Sequence, residues 1–333
     1  SAGYIGRGVA LENGFTALRD LETEGAMYAD VDVRNAINRG VIPGPRMFVA
    51  TRAFSATGMY PLSGYSWELK VPEGVQIVDG VDNIRRAVRE QVKYGADWIK
   101  VLATERAGTP DTDPRKQVYS QEELRILVVE AGSKNIPVMA HAHGAEGADA
   151  AVRAGVRSIE HGTYLTDDTL RMMAKQGTYF DPTADIVNDL AEPGGDYDNA
   201  RLAIRGRAML PRLRETAEKA WKLGIKMVAG TDTGYGPNSN RRMPDEIRAL
   251  TQIGMSPMDA IKAGTSVAAE CFGIEARTDV GETVALQAMR VDELRAVDQF
   301  ADAPGDRICA LCVTEADGNS PKAIRSSLTK SGA

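Results

Sequence analysis

Cysteine and histidine are both scarce in this chain of 333 residues, each occurring three times, and aromatic residues make up only 6%. Three cysteines do not form a disulfide framework. No apolar run reaches the roughly 18 residues that span a bilayer, and the first residues lack the charged-then-apolar order of a signal peptide. We therefore expect neither a disulfide-rich scaffold nor a membrane protein, while the compartment stays open.

The charge balance is mildly acidic, with a formal net charge of −6. This balance gives no excess of positive charge that would bind nucleic acid, so we expect no nucleic-acid partner. The hydrophobic share of 43% is that of an ordinary globular protein with a buried core. The length suits one large domain, since a (β/α) barrel takes about 250 residues, or two smaller ones.

Strand and helix patterns alternate along the chain, which predicts parallel βα units. The helix patterns carry apolar residues at three- and four-residue spacing, and Ser120 with Glu123 forms a capping box at the start of one. The predicted helices span residues 81–94, 121–134 and 199–223. The predicted strands number seven and span residues 15–21, 46–50, 98–103, 137–142, 158–162, 178–183 and 226–232.

Four polar residues stand at the ends of predicted strands: Lys100, His141, His161 and Asp232. Singly, each has an ordinary explanation: such a lysine is often ion-paired, a histidine hydrogen-bonded in the core, and an aspartate a turn cap. A (β/α) barrel, however, presents its chemistry at the carboxyl ends of its strands. Lysine, two histidines and an aspartate in strand order therefore favour a metal-hydrolase site.

The same stretches resemble the amidohydrolase superfamily, specifically its branch of imidazolonepropionase-like and Xaa-Pro or Xaa-Arg dipeptidase-like enzymes. The resemblance runs from about residue 14 to about residue 273. It rests on GFTALRD at 14–20, GADWIK at 95–100, HAHG at 141–144, SIEHG at 158–162 and GTD at 230–232. It implies an α/β fold, the (β/α)8 TIM barrel of the metal-dependent hydrolase type.

The chain departs from the family at both ends of this region. The family's metal site begins with a His-x-His pair on strand one, and no such pair precedes Gly14. Because only seven strands are visible, we predict an N-terminally truncated barrel over residues 1–275. Residues 276–333 match no family pattern, and their Ser-, Lys- and Gly-rich end has a composition typical of disorder. We interpret this atypical, partly disordered tail as the result of a frame change or a truncated gene.

The resemblance also implies a role for each site residue. In the family, the strand-four lysine reacts with CO2 and its carbamate bridges two metal ions, which maps to a carboxylated Lys100. The strand-five and strand-six histidines bind one metal, which maps to His141 and His161. The strand-eight aspartate binds the other metal and shuttles the proton, which maps to Asp232. For His143 we favour contact with the substrate, with a third metal ligand as the alternative.

The implied function is that of a zinc-dependent amidohydrolase of dipeptidase or carboxypeptidase type. It would cleave the amide or peptide bond of dipeptides or N-acyl amino acids through a metal-bridging hydroxide. Because the strand-one histidines are missing, we expect one zinc ion or none in place of two, and impaired activity. The alternatives are an inactive fragment or pseudoenzyme and a cyclic-amide hydrolase of the imidazolonepropionase type. The expected partner is a small-molecule amide, and the sequence leaves a homo-oligomer open.

Several residues near the predicted site have secondary roles. The long loop at 51–79 is predicted to shape the pocket, and its Tyr60 either lines that pocket or packs the loop's own core. Asp20 is predicted to brace the barrel floor or a neighbouring loop. Tyr235 and Asn238 follow Asp232 in what we interpret as a specificity loop.

Overall fold

The computed structural model of the chain describes residues 15–60, 66, 68–69, 73–232 and 242–274. Short strands alternate with helices along this length, as the sequence predicts. The strands are β1 (Ala17–Asp20), β2 (Arg46–Val49), β3 (Phe54–Ser55), β4 (Gln76–Ile77), β5 (Ile99–Leu102), β6 (Val138–Ala142), β7 (Ser158–His161) and β8 (Tyr179–Asp181). The helices are α1 (Ala29–Asn38), α2 (Val81–Tyr94), α3 (Gln121–Gly132), α4 (Ala145–Ala154), α5 (Asp167–Gln176), α6 (Ala184–Ala191), α7 (Ala200–Lys222), α8 (Met243–Gln252), α9 (Pro257–Ala263) and α10 (Ser266–Phe272).

The strand pairs are parallel. β1 pairs with β2, and a six-stranded sheet has the order β4-β3-β5-β6-β7-β8. The N–H groups of Asp97 and Trp98 donate to the carbonyl of Val49, which joins β2 to the start of β5. Beyond β8, Phe180 forms a parallel bridge with Met227. Within the described residues, the barrel strands follow one another in chain order as an open run from β1 to Met227, which is the arrangement of a (β/α) barrel.

Two parts of this arrangement differ from the sequence prediction. The segment predicted as a strand at 226–232 contributes a single bridge, at Met227. The loop at 51–79 carries the two-residue strands β3 and β4, which are too short to show an alternating pattern in the sequence. The predicted boundary between barrel and tail stays a prediction, because residues 275–333 lie outside the described part.

The helix ends follow the local sequence. Ser120 Oγ accepts the N–H of Glu123, whose side chain accepts the N–H of Ser120, so the predicted capping box opens α3. The side chain of Asn199 caps α7 by accepting the N–H groups of Arg201 and Leu202. Gly95 ends α2 at a φ of 98°, a conformation that glycine adopts without strain. No helix among the described residues is both long and apolar enough to cross a membrane.

The central strands are buried on both faces, and every residue of β5, β6 and β7 is buried. The main core lies between this sheet and the helices around it, with Ile84, Leu124, Ile159 and Phe180 fully buried. Such double burial explains the near-continuous apolar runs that the sequence shows in these segments. It also holds the carboxyl ends of these strands, which carry the candidate site, in fixed relative positions.

A buried charge network ties β1 to β7. Arg19 Nη2 lies 3.1 Å from Glu160 Oε1, and both side chains are 4% exposed. The guanidinium of Arg19 also lies over the ring of Trp98, 4.8 Å from the ring centroid. Asp20, which was predicted to brace the barrel floor or a neighbouring loop, accepts the backbone N–H of Glu22 in the loop after β1 at 3.4 Å. Arg19 of the same motif braces the barrel interior through Glu160.

Asp181, at the end of β8, holds the segment that leads to Asp232. Its Oδ1 accepts the N–H groups of Gly230 at 3.0 Å and Thr183 at 3.2 Å. A Cβ on Gly230 would lie 2.0 Å from Asp181 Oδ2, so only glycine fits there. Burial, followed by the nearby charge of Glu160, raises the pKa of Asp181 well above its ordinary value. The geometry of this turn thus depends on one buried carboxyl group.

Glu246 in α8 gives the fold a testable pH dependence. Its side chain is fully buried, its Oε1 has no hydrogen-bond partner among the described residues, and burial raises its pKa to about 8. The folded chain therefore keeps a proton that the unfolded chain releases above its ordinary pKa, so stability falls as pH rises toward 8. We expect Glu246→Gln to reduce this loss by up to about 1.4 kcal/mol per pH unit.

Urea unfolding at pH 5.5 and pH 8.5 measures the effect. Glu218→Gln is the matched control, because Glu218 lies half-exposed on α7 and pairs with Lys222. Equal pH slopes for the parent chain and the Glu246 variant would contradict the prediction.

Candidate active site

The three histidines of the chain meet in one buried cluster. His141 lies within β6, His143 follows its end, and His161 is the last residue of β7. One ring nitrogen of each histidine lies within 4.8 Å of a ring nitrogen of the other two. The ring centroids are 4.6 to 4.9 Å apart. The adjacent parallel strands β6 and β7 therefore bring together His141 and His161, which are twenty residues apart in sequence.

Each imidazole is held by a hydrogen bond on one ring nitrogen. His161 Nδ1 lies 2.6 Å from Thr183 Oγ1, and His143 Nδ1 lies 2.9 Å from Thr163 Oγ1. These two contacts use Nδ1 of each ring and leave Nε2 to bind another partner. His141 Nε2 donates to the carbonyl of Glu105 at 3.2 Å, which leaves its Nδ1 as the unprotonated nitrogen. The two threonines, absent from the sequence prediction, orient the rings as partners of metal-binding histidines do.

Burial keeps the three rings neutral. It lowers the pKa of His161 to about 3, with the charges of Lys100 and Arg106 adding to the effect. Burial also lowers the pKa of His141 and His143 well below the ordinary value, and the neighbouring imidazoles contribute further. A metal ligand must be an unprotonated imidazole. At neutral pH the cluster is therefore in the form that binds a metal.

Lys100 lies against the same cavity and pairs with a residue that the sequence prediction missed. Its Nζ donates to Glu22 Oε2 at 2.9 Å, and the lysine and glutamate side chains are 10% and 4% exposed. Glu22 lies just beyond the carboxyl end of β1, and 78 positions separate it from Lys100 in the sequence. No short-range pattern in the sequence links the two residues, because only the packing of β1 near β5 brings them together.

Asp232 completes the polar lining. It contributes to the same cavity as Glu22, Lys100 and the three histidines. Its φ of 45° and the φ of 72° at His161 lie in the left-handed region, where a non-glycine residue is strained. Such strain is often found where side chains are held for function. Tyr235 and Asn238 lie outside the described residues, so the predicted specificity loop stays a prediction.

The remaining walls combine one cation with an apolar surface. Arg106 lines the cavity, and its Nη2 lies 3.0 Å from Glu24 Oε1. Tyr60 donates to Glu24 at 2.7 Å and contacts Arg106, while its ring packs in a small cluster with loop residues and Leu102. The second interpretation of Tyr60, as part of the loop's own core, therefore describes it better. The apolar wall is formed by Leu102, Ala107, Ile186, Val187 and Leu190.

The donor set fits a divalent metal ion. Three neutral imidazoles converge within one buried cluster, and two carboxylates and a lysine line the same cavity. Imidazole nitrogen with carboxylate oxygen is a ligand set typical of zinc and related divalent ions. The three buried histidines could therefore hold one metal ion together.

Comparison with known proteins identifies the family. Residues 6–280 match the model of the amidohydrolase family. The chain belongs to the amidohydrolase family. This match confirms the predicted superfamily and the predicted (β/α)8 fold class. Members of the family generally use a metal, which agrees with the histidine cluster.

Individual relatives support this assignment. Ochratoxinase from Aspergillus niger is 32% identical over 290 residues, which cover 80% of this chain and 57% of the relative. Its crystal structure has a TM-score of 0.68 at 31% identity, covering 81% and 63% of the two chains. A Xaa-Pro dipeptidase with methionine bound in its active site has a TM-score of 0.77 at 28% identity, covering 88% and 74%. This amidohydrolase chain therefore spans less than two thirds of the length of ochratoxinase.

Proposed function

We propose that this amidohydrolase is a zinc enzyme that cleaves the amide bond of a dipeptide or an N-acyl amino acid. The observation that carries the proposal is the cluster of three neutral, oriented imidazoles within 4.8 Å in a cavity that also contains Lys100 and Asp232. The predicted dipeptidase-like or carboxypeptidase-like specificity belongs to this proposal.

The chain's own residues would hold the metal. His141 and His161 supply imidazole nitrogens, Asp232 supplies a carboxylate oxygen, and Lys100 supplies an anionic oxygen after its amine has added CO2. A divalent metal held there lowers the pKa of water to about 7 and polarises the substrate carbonyl. The burial of the cavity strengthens these charge interactions, because little solvent screens them.

The remaining steps are carried by two side chains. Asp232 accepts a proton from the attacking water as the C–O bond forms, and delivers it to the nitrogen as the C–N bond breaks. His143, held by Thr163, donates a hydrogen bond to the substrate near the scissile carbonyl or its terminal carboxylate. The pair thus moves the proton and positions the amide.

The walls of the cavity favour a substrate with one carboxylate and an apolar group. Arg106 offers a planar cation suited to a carboxylate, although part of its charge is balanced by Glu24. Ile186, Val187 and Leu190 offer apolar contact on another side. The related Xaa-Pro dipeptidase has methionine, an amino acid with both features, bound in its active site. These features support an amino-acid product.

The chain contains three histidines in total. That number supplies imidazole ligands for one metal ion and falls short of the histidines that a binuclear family site uses. We therefore propose one tightly held zinc ion per chain and turnover that is impaired relative to a binuclear amidohydrolase. Elemental analysis of purified chain, loaded with zinc and bicarbonate, counts the ions.

The substrate proposal is tested by comparing N-acetyl-methionine with N-acetyl-methioninamide, which lacks the carboxylate. We expect the acid to be hydrolysed faster, and Arg106→Met to raise its KM about 10- to 100-fold with kcat changed little, because a charge-assisted contact contributes about 1.5–3 kcal/mol. The amide should show no such rise. Arg115→Met is the matched control, since Arg115 is 70% exposed and pairs with Asp113. Equal rates for acid and amide with the parent chain would refute carboxylate recognition.

A further inference from the structure

One buried oxygen in the cavity has no hydrogen-bond partner within the part of the chain that the structure describes. Glu22 is 4% exposed in its side chain, and its Oε2 accepts from Lys100. Its Oε1 is also buried, yet no hydrogen bond from the described residues reaches it. A buried carboxylate oxygen without a partner costs free energy comparable to a lost hydrogen bond, or more because it is charged. A ligand that binds Oε1 would remove this cost.

The position of Glu22 indicates which ligand that is. Glu22 lines the cavity together with the three histidines, Lys100 and Asp232. It follows β1 at its carboxyl end, the end at which a (β/α) barrel carries its active-site groups. The described lining of the cavity is rich in nitrogen donors that suit a metal and includes the carboxylates of Glu22 and Asp232. Glu22 thus offers an anionic oxygen to the same cavity as the convergent imidazoles, and carboxylate oxygen is a ligand type that divalent metals accept alongside imidazole.

We propose that Glu22 is an additional oxygen ligand of the metal in this cavity, an inference that rests on the proposed metal site. Oε1 binds the metal, while Oε2 continues to accept from Lys100. The two roles are compatible with carboxylation of Lys100, because the carbamate nitrogen keeps one N–H that still donates to Oε2. Glu22 thus supplies an anionic ligand that the family resemblance did not indicate.

A purely structural role for Glu22 makes a different prediction. If Glu22 only neutralises the Lys100 ammonium, its removal affects folding stability and leaves the metal affinity of folded chain unchanged. If it is a ligand, its removal changes the affinity and the coordination spectrum of folded protein. The two roles are therefore separated by metal binding, measured without any substrate.

The experiment compares the full chain with Glu22→Gln, which keeps the shape and removes the charge. Zinc affinity is measured by competition with a chelating dye, and the visible spectrum of bound Co2+ reports the ligand set. We expect at least tenfold weaker zinc binding and an altered Co2+ spectrum. Glu90→Gln, a glutamate that pairs with Arg52 outside the cavity, should change neither.

A second pair of variants guards against loss of folding in Glu22→Gln. Lys100→Gln and the double variant Glu22→Gln/Lys100→Gln both lack the ammonium, so neither leaves it buried without a partner. We expect the double variant to bind zinc at least tenfold more weakly than Lys100→Gln. Equal affinities within this pair, with metal bound by the parent chain, overturn the role of Glu22 and leave the proposed function standing. A parent chain that binds no zinc overturns both.

Discussion

Replacing His161 with alanine is expected to remove the bound metal ion and to lower amide hydrolysis at least about a thousandfold, roughly 4 kcal/mol of activation free energy. The ring of His161 is buried, neutral and fixed by Thr183, so no other side chain can move into its place without repacking. Metal content by elemental analysis and kcat/KM on an N-acyl amino acid measure the two effects. Circular dichroism checks that the variant folds.

A graded variant tests whether the ring's orientation matters as well as its presence. Thr183→Val removes the hydroxyl that lies 2.6 Å from His161 Nδ1 and keeps the side chain's shape. Loss of such a partner lowers metal affinity about 10- to 100-fold, so an intermediate effect is expected. Unchanged metal content and rate in His161→Ala would show that the histidine cluster is not the metal site and would remove the basis of the proposed function.

Asp232→Asn is expected to lower kcat by about 10²- to 10⁴-fold while the histidine cluster still binds metal. The amide cannot accept a proton from water or pass one to the leaving nitrogen, and general acid–base catalysis contributes about this much. Asn keeps nearly the same shape, so the strained turn that Asp181 holds through Gly230 should remain. Steady-state kinetics and metal analysis of the same preparation give both values.

The control for Asp232→Asn is Asp167→Asn, an exposed aspartate that pairs with Lys219 on the surface. Its rate should match that of the parent chain. If Asp232→Asn retained more than about a third of the parent kcat, Asp232 would have no part in proton transfer, and another group would have to fill that role. If instead it lost metal and activity together, Asp232 would act chiefly as a ligand.

Much of the fold follows from local sequence. Apolar runs buried on both faces predict the central strands, and the capping box at Ser120 and the asparagine at 199 fix helix starts. The exceptions have physical reasons. β3 and β4 are too short to carry a periodic pattern, and the segment after Lys226 makes one bridge rather than a full strand.

The candidate site, too, has residues that local sequence predicts and residues that only the tertiary structure reveals. The sequence by itself predicted that Lys100, His141, His161 and Asp232 belong to one site, because strand pattern and residue type are both local properties. In the structure, however, Lys100 is the second residue of β5, and Asp232 follows a segment with a single bridge at Met227. Only the tertiary structure placed Glu22 against Lys100, since their pairing depends on how β1 packs near a strand that lies 78 positions away.

The same reasoning applies to the groups that support the histidines. Thr163 and Thr183 reach the rings from turns after β7 and β8, and Arg106 enters the cavity from the loop after β5. Threonine and arginine are common in such turns, so residue type alone does not distinguish them. Their roles are decided by distances of a few ångströms between segments remote in sequence, which packing sets and local pattern does not.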